Sequence, residues 1–75
     1  MHVTVKVIGG LVFRLGFAEQ DRELPAGATA GSLLAALGIT DPHTVITTRN
    51  GRGIAPEEQL EEGDRVLVSP PFSGG

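Results

Sequence analysis

Thr29-Ala30-Gly31-Ser32-Leu33-Leu34-Ala35-Ala36-Leu37-Gly38 decides the fold, because it is the one run in the 75 residues that reads as a convincing helix. Thr29 suits an N-cap, its side-chain oxygen placed to accept an early backbone N–H. The helix is expected over Ala30 to Leu37. Leu33, Leu34 and Leu37 then share a face, and Gly38 stands where a left-handed C-cap is wanted. Ser32 occupies the position at which a Glu would complete a capping box, so no box is expected. Gly31 in the first turn costs up to about 1 kcal/mol of helix propensity. Packing must therefore hold this helix.

Outward from it, the chain reads as strands. His2-Val3-Thr4-Val5-Lys6-Val7-Ile8 alternates, with Val3, Val5 and Val7 on one side and Thr4 and Lys6 on the other. Gly9-Gly10 breaks the run. The next stretch admits two readings. Leu11, Phe13, Leu15 and Phe17 alternate as a returning strand would; alternatively residues 9–16 are a loop and the return strand is about 17–24. The second leaves fewer residues without structure. Pro25-Ala26-Gly27-Ala28 is a turn before the helix, and Asp41-Pro42-His43 is one after it. Thr44 to Arg49 is a β-branched run, hence a strand, and Asn50-Gly51 is a type I′ hairpin signal. Arg52-Gly53-Ile54 is a short return, and Pro56 to Leu60 has room for one helical turn. Gly63-Asp64 turns the chain into a last strand, Arg65 to Ser69.

One helix can cover one face of a sheet. The class is therefore α+β, a mixed four- to five-stranded sheet with one main helix packed on one face. If the first and last strands pair side by side, parallel and central, the domain is a ubiquitin-like β-grasp. Periodicity alone leaves that pairing open.

Composition narrows the chemistry. A single small domain is expected, burying only about 60% of its unfolded surface. There is no cysteine, which removes disulfides, Cys-based zinc sites and a cysteine nucleophile. The net charge of −3, with acids gathered in Glu57-Glu58-Gln59-Leu60-Glu61-Glu62-Gly63-Asp64, argues against a nucleic-acid partner. That acidic run reads as a solvated turn. Arg49, Arg52 and Arg65 read as ordinary surface charge. His2 and His43 have no companion ligands, so no metal site is expected. No signal core or membrane-length run is present, and a cytoplasmic, non-membrane protein is expected. No Ser-His-Asp set, phosphate loop or paired acids appears, so the chain is not expected to be an enzyme by itself.

The domain is expected over 1–69, followed by a tail over 70–75: Pro70-Pro71-Phe72-Ser73-Gly74-Gly75. Two prolines fix φ and remove two N–H donors, so the last strand cannot run through them. Six extended residues reach roughly 18–20 Å. Two glycines without Cβ atoms can lie in a channel too narrow for any other residue. The tail thus reads as an arm that delivers the carboxylate of Gly75 into another protein's site.

Taken together, these segments resemble the MoaD/ThiS-like ubiquitin-like sulfur carriers. The likeness rests on Val3-Thr4-Val5-Lys6-Val7, on Leu24-Pro25-Ala26-Gly27-Ala28-Thr29 leading into Leu33-Leu34-Ala35-Ala36-Leu37-Gly38, and on Asn50-Gly51. It continues through Leu60-Glu61-Glu62-Gly63-Asp64-Arg65-Val66 to Gly74-Gly75. The double proline is most similar to the tail of the molybdopterin synthase small subunit. Ser32 and the polar Thr47-Thr48-Arg49 depart from the family's usual pattern.

The resemblance implies that a ubiquitin-activating-enzyme-like adenylyltransferase uses ATP to adenylate Gly75. A persulfide donor then converts it to a thiocarboxylate, and the molybdopterin synthase large subunit receives the sulfur. No cofactor is implied on the chain itself. Gly74 would allow the narrow approach, Ser73 would hydrogen-bond in the channel, and Phe72 would be an apolar anchor. Pro70 and Pro71 would stiffen the arm, and Leu67 is a candidate partner contact. Sulfur delivery to thiamine or transfer RNA, conjugation to proteins through Gly75, and a noncovalent interaction module are the alternatives.

Overall fold

The computed structural model describes residues 1–71. Strand β1 (His2–Val7) runs into a short helix α1 (Leu11–Leu15), then β2 (Glu19–Glu23) and the main helix α2 (Ala30–Ala36). A 3₁₀ turn (Pro42–Thr44) leads to β3 (Ile46–Arg49), β4 (Arg52–Gly53) and finally β5 (Arg65–Ser69). The five strands form one sheet in the order β2-β1-β5-β3-β4. The first and last strands lie side by side and parallel, with Val5 opposite Val66 and Lys6 opposite Leu67. That central parallel pair, with hairpin-like antiparallel partners on both sides, is the ubiquitin-like β-grasp.

Alternation builds the core. Val3, Val5 and Val7 of β1 and Val66 and Val68 of β5 face inward, all nearly inaccessible. Leu33 and Leu34 of α2 close on them, joined by Leu24, Ile39 and Leu60. Each such side chain contributes about 1.5–3 kcal/mol on burial. Leu37 is only half-buried; it is the C-cap residue, and α2 ends at Ala36. Gly38, at φ 92°, supplies the left-handed exit expected of it.

The start of α2 corrects the expectation of no capping box. The box is present with serine in the glutamate's role: the Thr29 N–H donates to Ser32 Oγ (2.9 Å) and the Ser32 N–H donates to Thr29 Oγ1 (3.1 Å). Serine suffices because the two residues are close enough that no longer arm is needed. The remaining early donors go to a neighbouring segment. The Ala30 N–H donates to the Glu58 carbonyl and the Gly31 N–H to the Pro56 carbonyl (2.8 Å). A Cβ on Gly31 would sit 3.2 Å from that carbonyl oxygen, so the glycine that weakens the helix permits its docking on residues 56–60. That docking replaces the helical turn expected at Pro56 to Leu60; the segment is instead a turn with a bridge between Gln59 and Thr29.

Two further differences concern boundaries. Residues 11–15, read as strand or loop, form α1. Leu11 and Leu15 are four apart, so a helical turn brings both toward the core and sends Phe13 outward. The β-branched run at Thr44 enters the sheet only at Ile46, because Asp41 caps the 3₁₀ turn through the His43 N–H (3.0 Å). The Asn50-Gly51 hairpin forms as expected, with φ of 52° and 87°.

At the other end of the sheet, Glu23 binds the Met1 ammonium (3.1 Å) and His2 Nδ1 (3.0 Å). The hydrogen bond and charge of that ammonium hold its carboxyl below the usual carboxylate range, with His2 a smaller contributor. A depressed folded-state value means stabilisation that is present above the unfolded-state value and is lost as pH falls through the folded one. Stability should therefore decline as pH drops below the ordinary glutamate range, and Glu23→Gln should flatten that part of the decline. Denaturant titrations over an acidic pH series measure it; an unchanged slope in the variant would contradict the pairing.

Candidate functional site at the root of the tail

The parallel pairing decides where the tail begins. It puts β5 in the middle of the sheet, so the chain leaves from the centre of one end of the domain. Ser69 is the last strand residue, and Pro70 and Pro71 follow outside the ladder. Pro70 is half-buried against the β1–α1 loop. Gly9 there has φ 65°, and a Cβ on it would lie 3.2 Å from Pro70 Cγ. Pro70 and Pro71 line a shallow groove with Gly10, Leu11, Arg14 and Thr44. Phe72, Ser73, Gly74 and Gly75 lie outside the described residues.

Leu67 faces the open side of the sheet, opposite to Val66 and Val68. It is half-buried, with Lys6 in register on β1 and Thr48 on β3. The open face around it is a shallow hollow that also takes in Ile8, Glu19 and Arg65. Near its tail end stand two exposed isoleucines, Ile8 (42% exposed) and Ile46 (46%). The Ile8 N–H bonds the Val68 carbonyl and Ile46 is opposite Ser69, so both flank the last residues before the tail. The sequence alone does not single them out. Their only signal there is the polarity of the other outward positions, against which two isoleucines stand out.

The charged side chains sort differently from expectation. Arg49 is not surface charge: it donates to the Gln59 carbonyl (2.6 Å) and to Glu58 (3.2 Å), beside Asp64. Asp64 is buried and accepts the Glu61 N–H (2.8 Å) and an Asn50 amide hydrogen (3.3 Å). Glu62 accepts the His2 N–H (2.9 Å). Much of the acidic run therefore staples the 57–64 segment to the sheet rather than forming only a solvated turn. Among the described residues there is no group of three His, Asp or Glu arranged for a metal ion, and no helix long and apolar enough to cross a membrane.

The ThiS family profile matches residues 5–75. The chain belongs to the ThiS family. Members of that family are sulfur carriers and not enzymes. Among solved structures, the ThiS-family chain superposes on a Pyrococcus furiosus protein provisionally named molybdopterin converting factor, subunit 1. The TM-score is 0.83 and identity 27%, covering 96% of this chain and 99% of that one. It superposes on small archaeal modifier protein 1 of Haloferax volcanii at TM-score 0.79 and 22% identity, covering both chains completely. A chain in the complex of subunits 1 and 2 of the Helicobacter pylori molybdopterin-converting factor matches at 0.69 and 20%, again over all of both chains. No curated protein sequence gives a significant match. The ThiS-family chain is thus a sulfur carrier of this class.

Proposed function

We propose that this ThiS-family chain carries sulfur on the carboxyl group of Gly75 for molybdopterin synthesis. The observation that carries the proposal is the match of the family profile through residue 75, taken with the tail that leaves the central strand. A carboxylate is a poor electrophile, so activation comes first. A ubiquitin-activating-enzyme-like partner lets the Gly75 carboxylate attack the α-phosphorus of ATP, and pyrophosphate leaves. The terminal sulfur of a persulfide on a donor protein attacks the acyl carbon, and AMP leaves. A thiol then cleaves the sulfur–sulfur bond, forming a disulfide and releasing the thiocarboxylate. The domain supplies presentation: it holds one reactive atom at the end of a stiffened arm, which is positioning in the catalytic sense.

Gly75 and Gly74 fit the partner's channel, Ser73 hydrogen-bonds within it, and Phe72 anchors it. Pro70 and Pro71 reduce the entropy lost when the arm orders. Leu67, with Ile8 and Ile46 beside it, is the sheet-face contact for the partner. The molybdopterin assignment is supported by Pro70-Pro71 and by the likeness to the Pyrococcus and Helicobacter proteins. Full-length likeness to modifiers of Haloferax and Methanosarcina favours a second reading, conjugation to protein lysines through Gly75. One experiment tests the first reading directly. Chain bearing a C-terminal thiocarboxylate is mixed with the host's molybdopterin synthase large subunit and the pterin precursor. Formation of the dithiolene product with return of Gly75 to a carboxylate is the expected result. No product with a competent large subunit would refute the pathway.

A further inference from the structure

We infer that Phe13 and Arg14 on α1 form a recognition point for the ATP-dependent enzyme that activates Gly75; the inference rests on the sulfur-carrier reading above. Phe13 is 91% exposed, the most exposed large hydrophobic residue among those described. A large aromatic left in water on a mobile loop would need little explanation. Here it stands on an anchored element. Leu11 is 5% exposed, and Val12 and Leu15 pack on the core. Gly16 closes the helix in the left-handed region (φ 85°), its N–H donating to the Val12 carbonyl at 2.9 Å. The ring is therefore presented at a fixed place, the condition under which an aromatic anchor loses least entropy on binding.

The helix that carries it stands at the tail root. The loop that enters α1 passes Pro70 at Gly9, where a Cβ would lie 3.2 Å from Pro70 Cγ, and Arg14 shares a groove with Pro70 and Pro71. Four residues beyond Pro71 span at most about 13–14 Å. An enzyme that acts on Gly75 must bring its reacting centre within that distance of Pro71. Its surface then closes over the tail root, where α1 stands.

The activating enzyme is the occupant favoured by the chemistry. Gly74 and Gly75 have no side chains to read, so discrimination among glycine-ended chains falls on the surface near the tail. Phe13 and Arg14, adjacent on α1 and both exposed, fit an apolar pocket with an acidic rim. Binding through such a point lowers KM and leaves the chemical step alone.

The test is ATP–pyrophosphate exchange with each purified ubiquitin-activating-enzyme-like adenylyltransferase of the host, titrated with wild-type chain, Phe13→Gln, Phe13→Leu and Arg14→Glu. Glutamine keeps helix propensity, and unfolding midpoints check that each variant folds. Phe13→Gln is expected to raise KM about tenfold with kcat held within about twofold. Phe13→Leu should recover most of the loss, and Arg14→Glu should raise KM about severalfold. Wild-type exchange with unchanged KM in Phe13→Gln overturns this inference and leaves the carrier reading intact, as does a fall in kcat alone. No exchange by wild type with any of these enzymes overturns the carrier reading and this inference with it.

Discussion

A chain lacking Gly74 and Gly75 is expected to fold as the whole chain does and to accept no adenylate at all. Both halves rest on where the sheet ends. Among the described residues, every buried core residue lies between Val3 and Val68, and the last ladder position is Ser69. The final two residues are glycines with no side chain to bury, so the unfolding midpoint should not move. The reacting carboxylate, however, retreats by two residues, roughly 7 Å, and now belongs to a residue with a Cβ. A one-ångström misplacement alone can cost about 10²-fold in rate. Gly75→Ala is the finer variant: reach is kept, and impaired charging would isolate the narrowness of the channel. Pyrophosphate exchange and a thermal melt on the same samples check both halves. Undiminished charging of the deletion would mean that the two terminal glycines are not what the activating enzyme requires.

The second large effect is on stability. Leu34→Ala should cost about 2–5 kcal/mol, the range for emptying a leucine site in a packed core. Leu34 is 1% exposed, beneath the valines of the central strands. At roughly 0.05–0.15 kcal/mol per residue, a domain of 75 residues has about 4–11 kcal/mol in all, so the variant should lose a large share of its stability and unfold at a much lower temperature. Leu37→Ala should cost distinctly less, because Leu37 lies past the last helical residue and is half-exposed to solvent. Urea titrations of the two variants measure the difference. Equal costs would mean that α2 does not sit on the sheet in the way described.

The strands and α2 are legible in the sequence because their signals are local. Alternating valines, a threonine cap, and Asn50-Gly51 each act within a few residues. The central parallel pairing is reachable as a possibility only, since no local signal reports which strands meet across sixty residues. α1 escapes because Leu11, Phe13, Leu15 and Phe17 satisfy a period of two, while Leu11 and Leu15 also satisfy a helical turn. In five residues the two periods cannot be told apart. The capping box escapes because the rule expects a long acceptor, and a serine hydroxyl reaches instead. Arg49 reads as surface charge and Asp64 as part of a solvated turn because their partners, Gln59, Glu58 and Asn50, converge only once the hairpin and the 57–64 segment have folded together. Of the candidate site, Pro70, Pro71 and Leu67 can be placed by strand alternation and proline chemistry. Ile8, Ile46 and Phe13 need the fold, since exposure is a property of the neighbours.

Intact-mass spectrometry of the chain after incubation with ATP, a sulfide source and host cell extract tests the central claim most directly. The claim predicts a mass gain equal to the difference between sulfur and oxygen, located at Gly75 by fragmentation and dependent on ATP. An unmodified terminus, in an extract shown to charge another carrier of this class, would contradict it.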